Sequence, residues 1–252
     1  MTGKNFRSDN VAPVATEIMA AISQANHGAA NAYGEDKVTA DLEAMLCELF
    51  EHEVWIHPAA SGTAANCLAL ASLVSSDGTI LCHKDAHIRI AEEGAPATFI
   101  PGVECSAVGG ALGRIEPEAL DYALQEIPDP NNAALSLTQV TEWGPVYSID
   151  DTARLTVAAH ERGLRVHMDG ARFANAVAAL GCSPAEATWR AGVDVLSLGA
   201  SKNGALNAEA VVYFDPALTE NSYPKRKRTG HAYSKMRFLS AQLNAYMNDG
   251  LW

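Results

Sequence analysis

The sequence contains a lysine whose surroundings suit nucleophilic chemistry. Lys202 lies in the segment Ser-Leu-Gly-Ala-Ser-Lys-Asn-Gly (residues 197–204), directly after an apolar run of strand length. A partly buried lysine amine is more easily deprotonated and then attacks aldehydes, so Lys202 is a candidate for covalent attachment of an aldehyde cofactor. A loop lysine without function is the alternative, and the small, polar neighbours favour the functional interpretation.

A second candidate segment is Val-His-Met-Asp-Gly-Ala-Arg (residues 166–172), which ends a predicted strand. A carboxylate at the end of a buried strand needs a partner, and a protonated pyridine nitrogen would suit Asp169. Arg172 has the planar, two-pronged side chain that binds a carboxylate or a phosphate. A structural pair between Asp169 and Arg172 explains this motif equally well.

Two further candidates lie earlier in the chain. Ser61, Gly62 and Thr63 stand between a predicted strand and a predicted helix, where free N–H groups bind anions. An ordinary helix N-cap at Ser61 is the simpler interpretation of this segment taken alone. His87 is a candidate because an imidazole ring can stack on an aromatic cofactor and exchange protons. The simpler interpretation is a structural histidine whose hydrogen bonds are satisfied near a helix start.

Two patterns do not support a site. His83 and His87 have the i, i+4 spacing of a zinc pair, but Lys84 stands where the metalloprotease motif requires glutamate, so we expect no metal site. The glycines of residues 109–113 follow the spacing G-G-x-x-G, which differs from a dinucleotide fingerprint and is typical of a turn.

The elements that position these residues alternate between helices and strands. Crossover connections of this kind predict an α/β fold with a mostly parallel sheet covered by helices on both faces. Ser148 and Asp151 form a capping pair at one helix start. The predicted helices are 38–50, 62–74, 148–162, one after 171, 183–190 and 233–246; the predicted strands are 54–57, 79–82, 97–100, 133–137, 164–168, 193–198 and 210–214.

Composition excludes several functions. The 252 residues are 48% hydrophobic and carry a formal net charge of −12, which argues against nucleic acid as a partner. The basic run at residues 225–228 is predicted to be a solvated loop, with a contact to a phosphate as the alternative.

The N-terminus lacks an apolar run like that of a signal peptide, and no apolar stretch is long enough to span a bilayer. Five cysteines without a C-x-x-C pair indicate a cytoplasmic protein.

Taken together, these segments resemble the low-specificity threonine aldolase branch of the fold type I pyridoxal-phosphate (PLP) enzymes, in the beta-eliminating lyase family. The similarity covers almost the whole chain, and seven segments occur in the family's order. They are residues 6–10 (Phe-Arg-Ser-Asp-Asn), 33–36 (Tyr-Gly-Glu-Asp), 61–63 (Ser-Gly-Thr), 86–88 (Ala-His-Ile) with Glu92 or Glu93, 169–172 (Asp-Gly-Ala-Arg), 201–204 (Ser-Lys-Asn-Gly) and 234–239 (Ser-Lys-Met-Arg-Phe-Leu).

The resemblance implies cleavage of threonine-type β-hydroxy-α-amino acids to glycine and an aldehyde, with PLP as cofactor. It implies a role for each candidate residue. Lys202 would bind PLP covalently, and Asp169 would pair with the pyridine nitrogen. His87 would stack on the ring and is the candidate base for the β-hydroxyl proton. The phosphate would be held by Ser61, Gly62 and Thr63, and the substrate carboxylate by Arg172 and Ser8. It also implies a homodimer or homotetramer, with Tyr33, Gly34 and Glu35 contributing to the neighbouring site.

The sequence departs from the family pattern in two places. Residues 138–143 (Thr-Gln-Val-Thr-Glu-Trp) stand where many relatives carry a histidine. The expected domains are an N-terminal arm (1–15), a large PLP-binding domain (16–230) and the start of a truncated small domain (231–252), so a further carboxylate-binding arginine is missing. A β-eliminating lyase of the same fold and an inactive PLP-binding fragment are the alternatives to an active aldolase.

Overall fold

The computed structural model describes residues 7–252, and a seven-stranded sheet forms its centre. The strand order is β1-β7-β6-β5-β4-β2-β3, and every neighbouring pair is parallel except those that include β7. The strands are β1 (Trp55–Ala59), β2 (Thr79–His83), β3 (Glu104–Val108), β4 (Ala133–Thr138), β5 (Arg165–Gly170), β6 (Val195–Gly199) and β7 (Glu209–Tyr213). This arrangement confirms the predicted mostly parallel α/β sheet.

Ten α-helices of the described residues surround this sheet. They are α1 (Thr16–Gln24), α2 (Lys37–Phe50), α3 (Gly62–Leu73), α4 (His87–Ile90), α5 (Ala95–Phe99), α6 (Pro117–Glu126), α7 (Ile149–Glu161), α8 (Phe173–Leu180), α9 (Ala217–Arg228) and α10 (Arg237–Met247). Short 3₁₀ turns cover Asp9–Val11, Pro130–Asn132, Trp189–Ala191, Ser201–Asn203 and Asn248–Gly250. Within residues 7–252, none of these helices combines the length and the apolar character needed to cross a bilayer.

The two faces of the sheet bury different helices, because alternate strand residues point to opposite sides. On one face, Val166 and Met168 pack with the helices of two apolar clusters, which include Leu46 from α2 and Leu155 from α7. On the other face, Val195 and the neighbouring strand residues pack against α3. His167 and Asp169 alternate with Met168 along β5, so both point toward the α3 face.

The direction of the strands brings the candidate residues to one edge. Because β7 is antiparallel to both β1 and β6, these two strands run in the same direction as the parallel set. The carboxyl ends of β1, β2, β4, β5 and β6 and the start of β7 therefore share an edge. Ligands bind at this edge in open parallel sheets.

Several local predictions were wrong. Residues 97–100 lie mostly in α5, because Gly94 at φ +76° turns the chain and Pro96 fixes a helical first turn. Residues 183–190 form turns, because Thr188 leaves the helical region and its hydroxyl donates to the Pro184 carbonyl at 2.6 Å. Strand β1 continues through Pro58, which the edge position permits. Elements α1, α4, β3, α6 and α9 were not predicted.

The basic run was also predicted wrongly. Residues 225–228 form the last turn of α9, and their first two side chains turn inward. The Lys225 ammonium donates to the Ala71 carbonyl at the end of α3 at 2.6 Å, and the Arg226 side chain is buried beside His57. Carbonyl oxygens at a helix C-terminus attract cations, which explains this position.

Residues 1–6, the first part of the predicted N-terminal arm, lie outside the described residues. Helix α10 lies against α1 and α2, and its residues Leu243 and Tyr246 belong to the same apolar cluster as Leu46. The division at residues 15 and 230 stays a prediction.

Replacing Gly199 by alanine should lower the free energy of unfolding by about 1–3 kcal/mol, since the added methyl overpacks this site. Its carbon would lie 2.6 Å from the Cα atom and 2.7 Å from the carbonyl oxygen of Ala171. Urea unfolding followed by circular dichroism measures the loss. Gly62→Ala is the control, because nothing lies within 4 Å of a methyl there. Equal midpoints for the two variants would contradict the close approach.

Candidate active site

A pocket at the carboxyl edge brings together most of the residues that the sequence singled out. Gly62 and Thr63 enter it from α3, His87 from α4, and Lys202 from the turn after β6. Its described lining consists of Gly62, Thr63, Asn66, His87, Glu92, Thr138, Val140, Glu142, Asp169, Ala171, Arg172 and Lys202. Ser61 and Ser8 are not part of this lining.

The start of α3 offers backbone N–H groups to the pocket. Ser61 is the N-cap residue, and its hydroxyl accepts a hydrogen bond from the Ala64 N–H at 3.2 Å. Gly62 and Thr63 are the first two helical residues, whose N–H groups have no partner within a helix. Ser61 therefore caps the helix, Gly62 and Thr63 line the pocket, and anion binding by this segment stays a prediction.

Asp169 is the buried end of a hydrogen-bonded chain. Its carboxylate accepts the Asn66 side-chain N–H at 2.9 Å and the Ala171 N–H at 3.0 Å. Asn66 also donates to Glu92 at 3.0 Å, and Glu92 contacts Nδ1 of His87 at 3.0 Å. Asn66 thus joins two buried carboxylates with neutral donors.

His87 is held at two points. Its ring is bound by Glu92, and its backbone N–H donates to Glu142 at 2.7 Å. The hydrogen bond with Glu92 raises the pKa of His87 above its ordinary value, although partial burial acts in the opposite direction. With Nδ1 fixed against Glu92, the other ring nitrogen is the one that can accept a proton.

Arg172 forms a two-pronged ion pair with Asp9. The Nε atom of Arg172 lies 2.7 Å and Nη2 lies 3.3 Å from the two carboxylate oxygens. Burial acts to raise the pKa of Asp9, but the hydrogen bond and charge of Arg172 together with the charge of Lys202 lower it. Ser8 lies next to Asp9 and caps the first 3₁₀ turn, where its hydroxyl accepts the Asn10 N–H at 3.2 Å.

Sequence reasoning missed Asn66, Glu142 and Thr138. Asn66 had one signal, a polar residue inside an otherwise apolar helix. Glu142 was noted only as part of a segment without histidine; in the structure its carboxylate accepts the His87 N–H and the Thr138 hydroxyl, the latter at 3.3 Å. These contacts join residues that are distant in sequence, and no local pattern predicts them.

The residues present fit PLP. Asp169 is 4% exposed, and within residues 7–252 it takes part in no ion pair, so a cationic ring nitrogen would supply the missing charge. The start of α3 suits a phosphate, since helix N-termini bind anions. Lys202 supplies an amine in the same pocket.

Glu92→Gln should lower the pKa of His87 by roughly one unit, because it removes the carboxylate that stabilises the imidazolium. Nuclear magnetic resonance of the ring protons across a pH series measures this pKa, and a His87→Gln spectrum identifies the resonance. Glu93→Gln is the matched control, since Glu93 is the exposed neighbour. A His87 pKa that is the same in both variants would contradict the pair.

Comparison with known proteins identifies the family of this chain. A model of the beta-eliminating lyase family matches residues 5–251. The chain is 41% identical to the low specificity L-threonine aldolase of Pseudomonas sp. (strain NCIMB 10558) over 252 residues, which are 99% of this chain and 73% of that protein. The protein of the same name from Pseudomonas aeruginosa is also 41% identical, over 99% of this chain and 73% of its own length.

Among solved structures, the threonine aldolase of Leishmania major has a similar fold. The TM-score is 0.89 at 23% identity, over 97% of this chain and 72% of that chain. This likeness confirms the predicted fold type I architecture. The family model and the 41% identity establish that this chain belongs to the beta-eliminating lyase family.

Proposed function

We propose that the protein is a PLP-dependent aldolase that cleaves threonine and allo-threonine type β-hydroxy-α-amino acids to glycine and an aldehyde. The observation that carries the proposal is the placement of Lys202 and the buried carboxylate of Asp169 in one pocket, with His87 and Arg172 beside them. The names of the two Pseudomonas relatives support the same reaction.

Each end of the cofactor has a proposed partner. Ser61, Gly62 and Thr63 hold the phosphate, Asp169 pairs with the ring nitrogen, and Lys202 forms the covalent link. His87 stacks on the ring. When bound, PLP withdraws electrons from the Cα atom of an attached amino acid, which weakens the bonds at that carbon.

The proposed substrate contacts use the ion pair at the pocket edge. Arg172 binds the substrate carboxylate, with Ser8 nearby. Asp9 uses Nε and Nη2 of Arg172, which leaves Nη1 outside this pair and fixes the plane of the guanidinium. A guanidinium held in this way needs little ordering when an anion arrives.

His87 is the proposed base for the β-hydroxyl proton, directly or through a water molecule. Glu92 orients the ring, and the raised pKa of His87 makes the imidazole a stronger proton acceptor. The proton passes from the β-oxygen to His87 while the bond between Cα and Cβ breaks, and the β-carbon departs as an aldehyde. The electron pair of the broken bond stays at Cα, which takes up a proton to give glycine.

We further infer a cytoplasmic homo-oligomer, either a dimer or a tetramer. The five cysteines are all free, which supports a reducing compartment. Tyr33 is 48% exposed, as a residue that reaches a neighbouring subunit would be in a single chain. The proposed division remains an N-terminal arm to residue 15, a PLP-binding domain to residue 230 and a separate segment from residue 231.

Lys202→Ala should abolish a visible absorption band that the wild-type protein acquires with PLP and that shifts when glycine is added. It should also reduce the release of glycine and acetaldehyde from threonine below detection, because the covalent attachment is lost. Lys37→Ala is the control, since that side chain is 84% exposed and lies on α2.

The possible results separate the competing functions. Glycine and an aldehyde as products support the aldolase, whereas a keto acid and ammonia would indicate β-elimination. A band that ignores glycine, without turnover, would indicate an inactive PLP-binding chain. If folded wild-type protein gained no band that depends on Lys202, the proposed function would be wrong.

A further inference from the structure

The loop after β4 holds the start of α4 at two points. Glu142 and Trp143 are neighbours in this loop, within the segment 138–143 that departs from the family pattern. The Glu142 carboxylate accepts the His87 N–H at 2.7 Å, and the Trp143 indole donates to the Asp85 carboxylate at 3.2 Å. Asp85 lies two residues before His87, so both contacts act on the segment that leads into α4.

Helix α4 depends on such outside contacts. It has only four residues, and its N-cap residue Ala86 has no side-chain acceptor for the free N–H groups of the first turn. The Oε1 atom of Glu142 supplies an acceptor from 55 residues further along the chain. Because a helix of this length is not stable by itself in water, the position of His87 is set by the protein around it.

The loop after β4 is itself tightly held. Gln139 is 1% exposed, and its side-chain amide exchanges two hydrogen bonds with the backbone of Tyr147, at 2.9 Å and 3.0 Å. Thr141 is also 1% exposed, and its hydroxyl donates to the Leu112 carbonyl at 3.0 Å. These buried contacts lie on both sides of Glu142 in the chain and give its carboxylate a fixed base.

Glu142 also connects His87 to the strand beside Asp169. The same oxygen, Oε1, accepts the Thr138 hydroxyl at 3.3 Å. Thr138 is the last residue of β4 and pairs with Asp169 in the register of β4 and β5. The ring of His87 is bound separately by Glu92. Two different carboxylates therefore hold the backbone and the ring of His87.

The second oxygen of Glu142 makes no comparable contact. Oε2 is shielded from solvent, and no group in the described part of the chain forms a hydrogen bond with it. The contact with His87 therefore uses one oxygen of the side chain. The amide of a glutamine also provides one oxygen acceptor and can make the same contact.

We propose that Glu142 is a positioning residue: by accepting the His87 N–H, it holds the imidazole where it can take the β-hydroxyl proton. The inference rests on the proposed role of His87 in the aldolase reaction. It assigns a function to the loop in which the sequence departs from the family pattern.

Glu142→Ala removes the acceptor, whereas Glu142→Gln keeps it. In Glu142→Ala we expect the His87 amide to exchange with deuterium faster than in the wild-type protein. We also expect kcat for threonine cleavage by the PLP-loaded protein to fall roughly 10- to 100-fold, because a displaced base loses its alignment. The KM for threonine should change much less, since the proposed carboxylate contact with Arg172 is left in place.

Nuclear magnetic resonance measures the amide exchange, and aldehyde release measures kcat and KM. Glu142→Gln should restore the protection of the His87 amide and most of kcat. Glu142→Met keeps the length of the side chain without an oxygen acceptor, so it should behave as Glu142→Ala with less change in packing. Glu126→Ala is the matched control, because Glu126 is exposed at the end of α6 and should leave both measurements unchanged.

A double variant separates positioning from a general loss of structure. If Glu142 acts only through His87, Glu142→Ala should cause no further loss of kcat in the His87→Gln background, where the imidazole is absent. A carboxylate that merely stabilises the fold would lower kcat by the same factor in both backgrounds.

The outcomes distinguish this inference from the proposed function, because the amide measurement needs no turnover. Equal exchange of the His87 amide in the wild-type protein and in Glu142→Ala, or additive losses of kcat in the double variant, would overturn the inference alone. A folded, PLP-loaded wild-type protein that releases no aldehyde from threonine would overturn the proposed function and this inference with it.

Discussion

The burial of the Asp169 carboxylate is the constraint on which the site depends. Removing such a charge from water costs several kcal/mol in general, and the neutral donors of Asn66 and Ala171 offset only part of that cost. The same Asn66 amide binds Glu92, and Glu92 binds His87. Asn66 and Glu92 therefore link the buried charge of Asp169 to His87, and a cationic ring nitrogen is the partner that would balance this charge.

The strand order determines how these groups meet. Strand β7 runs antiparallel between β1 and β6, so its first residue lies at the edge where the other two strands end. Glu209 thereby reaches the Lys202 turn, and Gly199 lets that turn approach Ala171 closely. The loop after β5 and the loop after β6 are thus neighbours in space, although some 30 residues separate Asp169 from Lys202 along the chain.

Sequence patterns predicted the sheet and the residues that follow strand ends, because strand length, apolar runs and small flanking residues are local signals. They identified Lys202, Asp169, His87 and Arg172, which the structure brings into one pocket with Gly62 and Thr63. They failed where tertiary contacts determine the local structure. Residues 97–100 were predicted to be a strand but lie mostly in α5, and the basic run was predicted to be a solvated loop but belongs to α9 and contacts α3. Asn66 and Glu142 were missed because each acts on a residue far away in sequence.

We propose that Asp169 keeps the pyridine nitrogen of bound PLP protonated. The chemical shift of this nitrogen, measured by magnetic resonance with ¹⁵N-labelled PLP bound to the wild-type protein and to Asp169→Asn, reports its protonation. We expect a protonated nitrogen in the wild-type protein and an unprotonated one in the variant. An unprotonated nitrogen in the wild-type protein, or the same shift in both proteins, would contradict it.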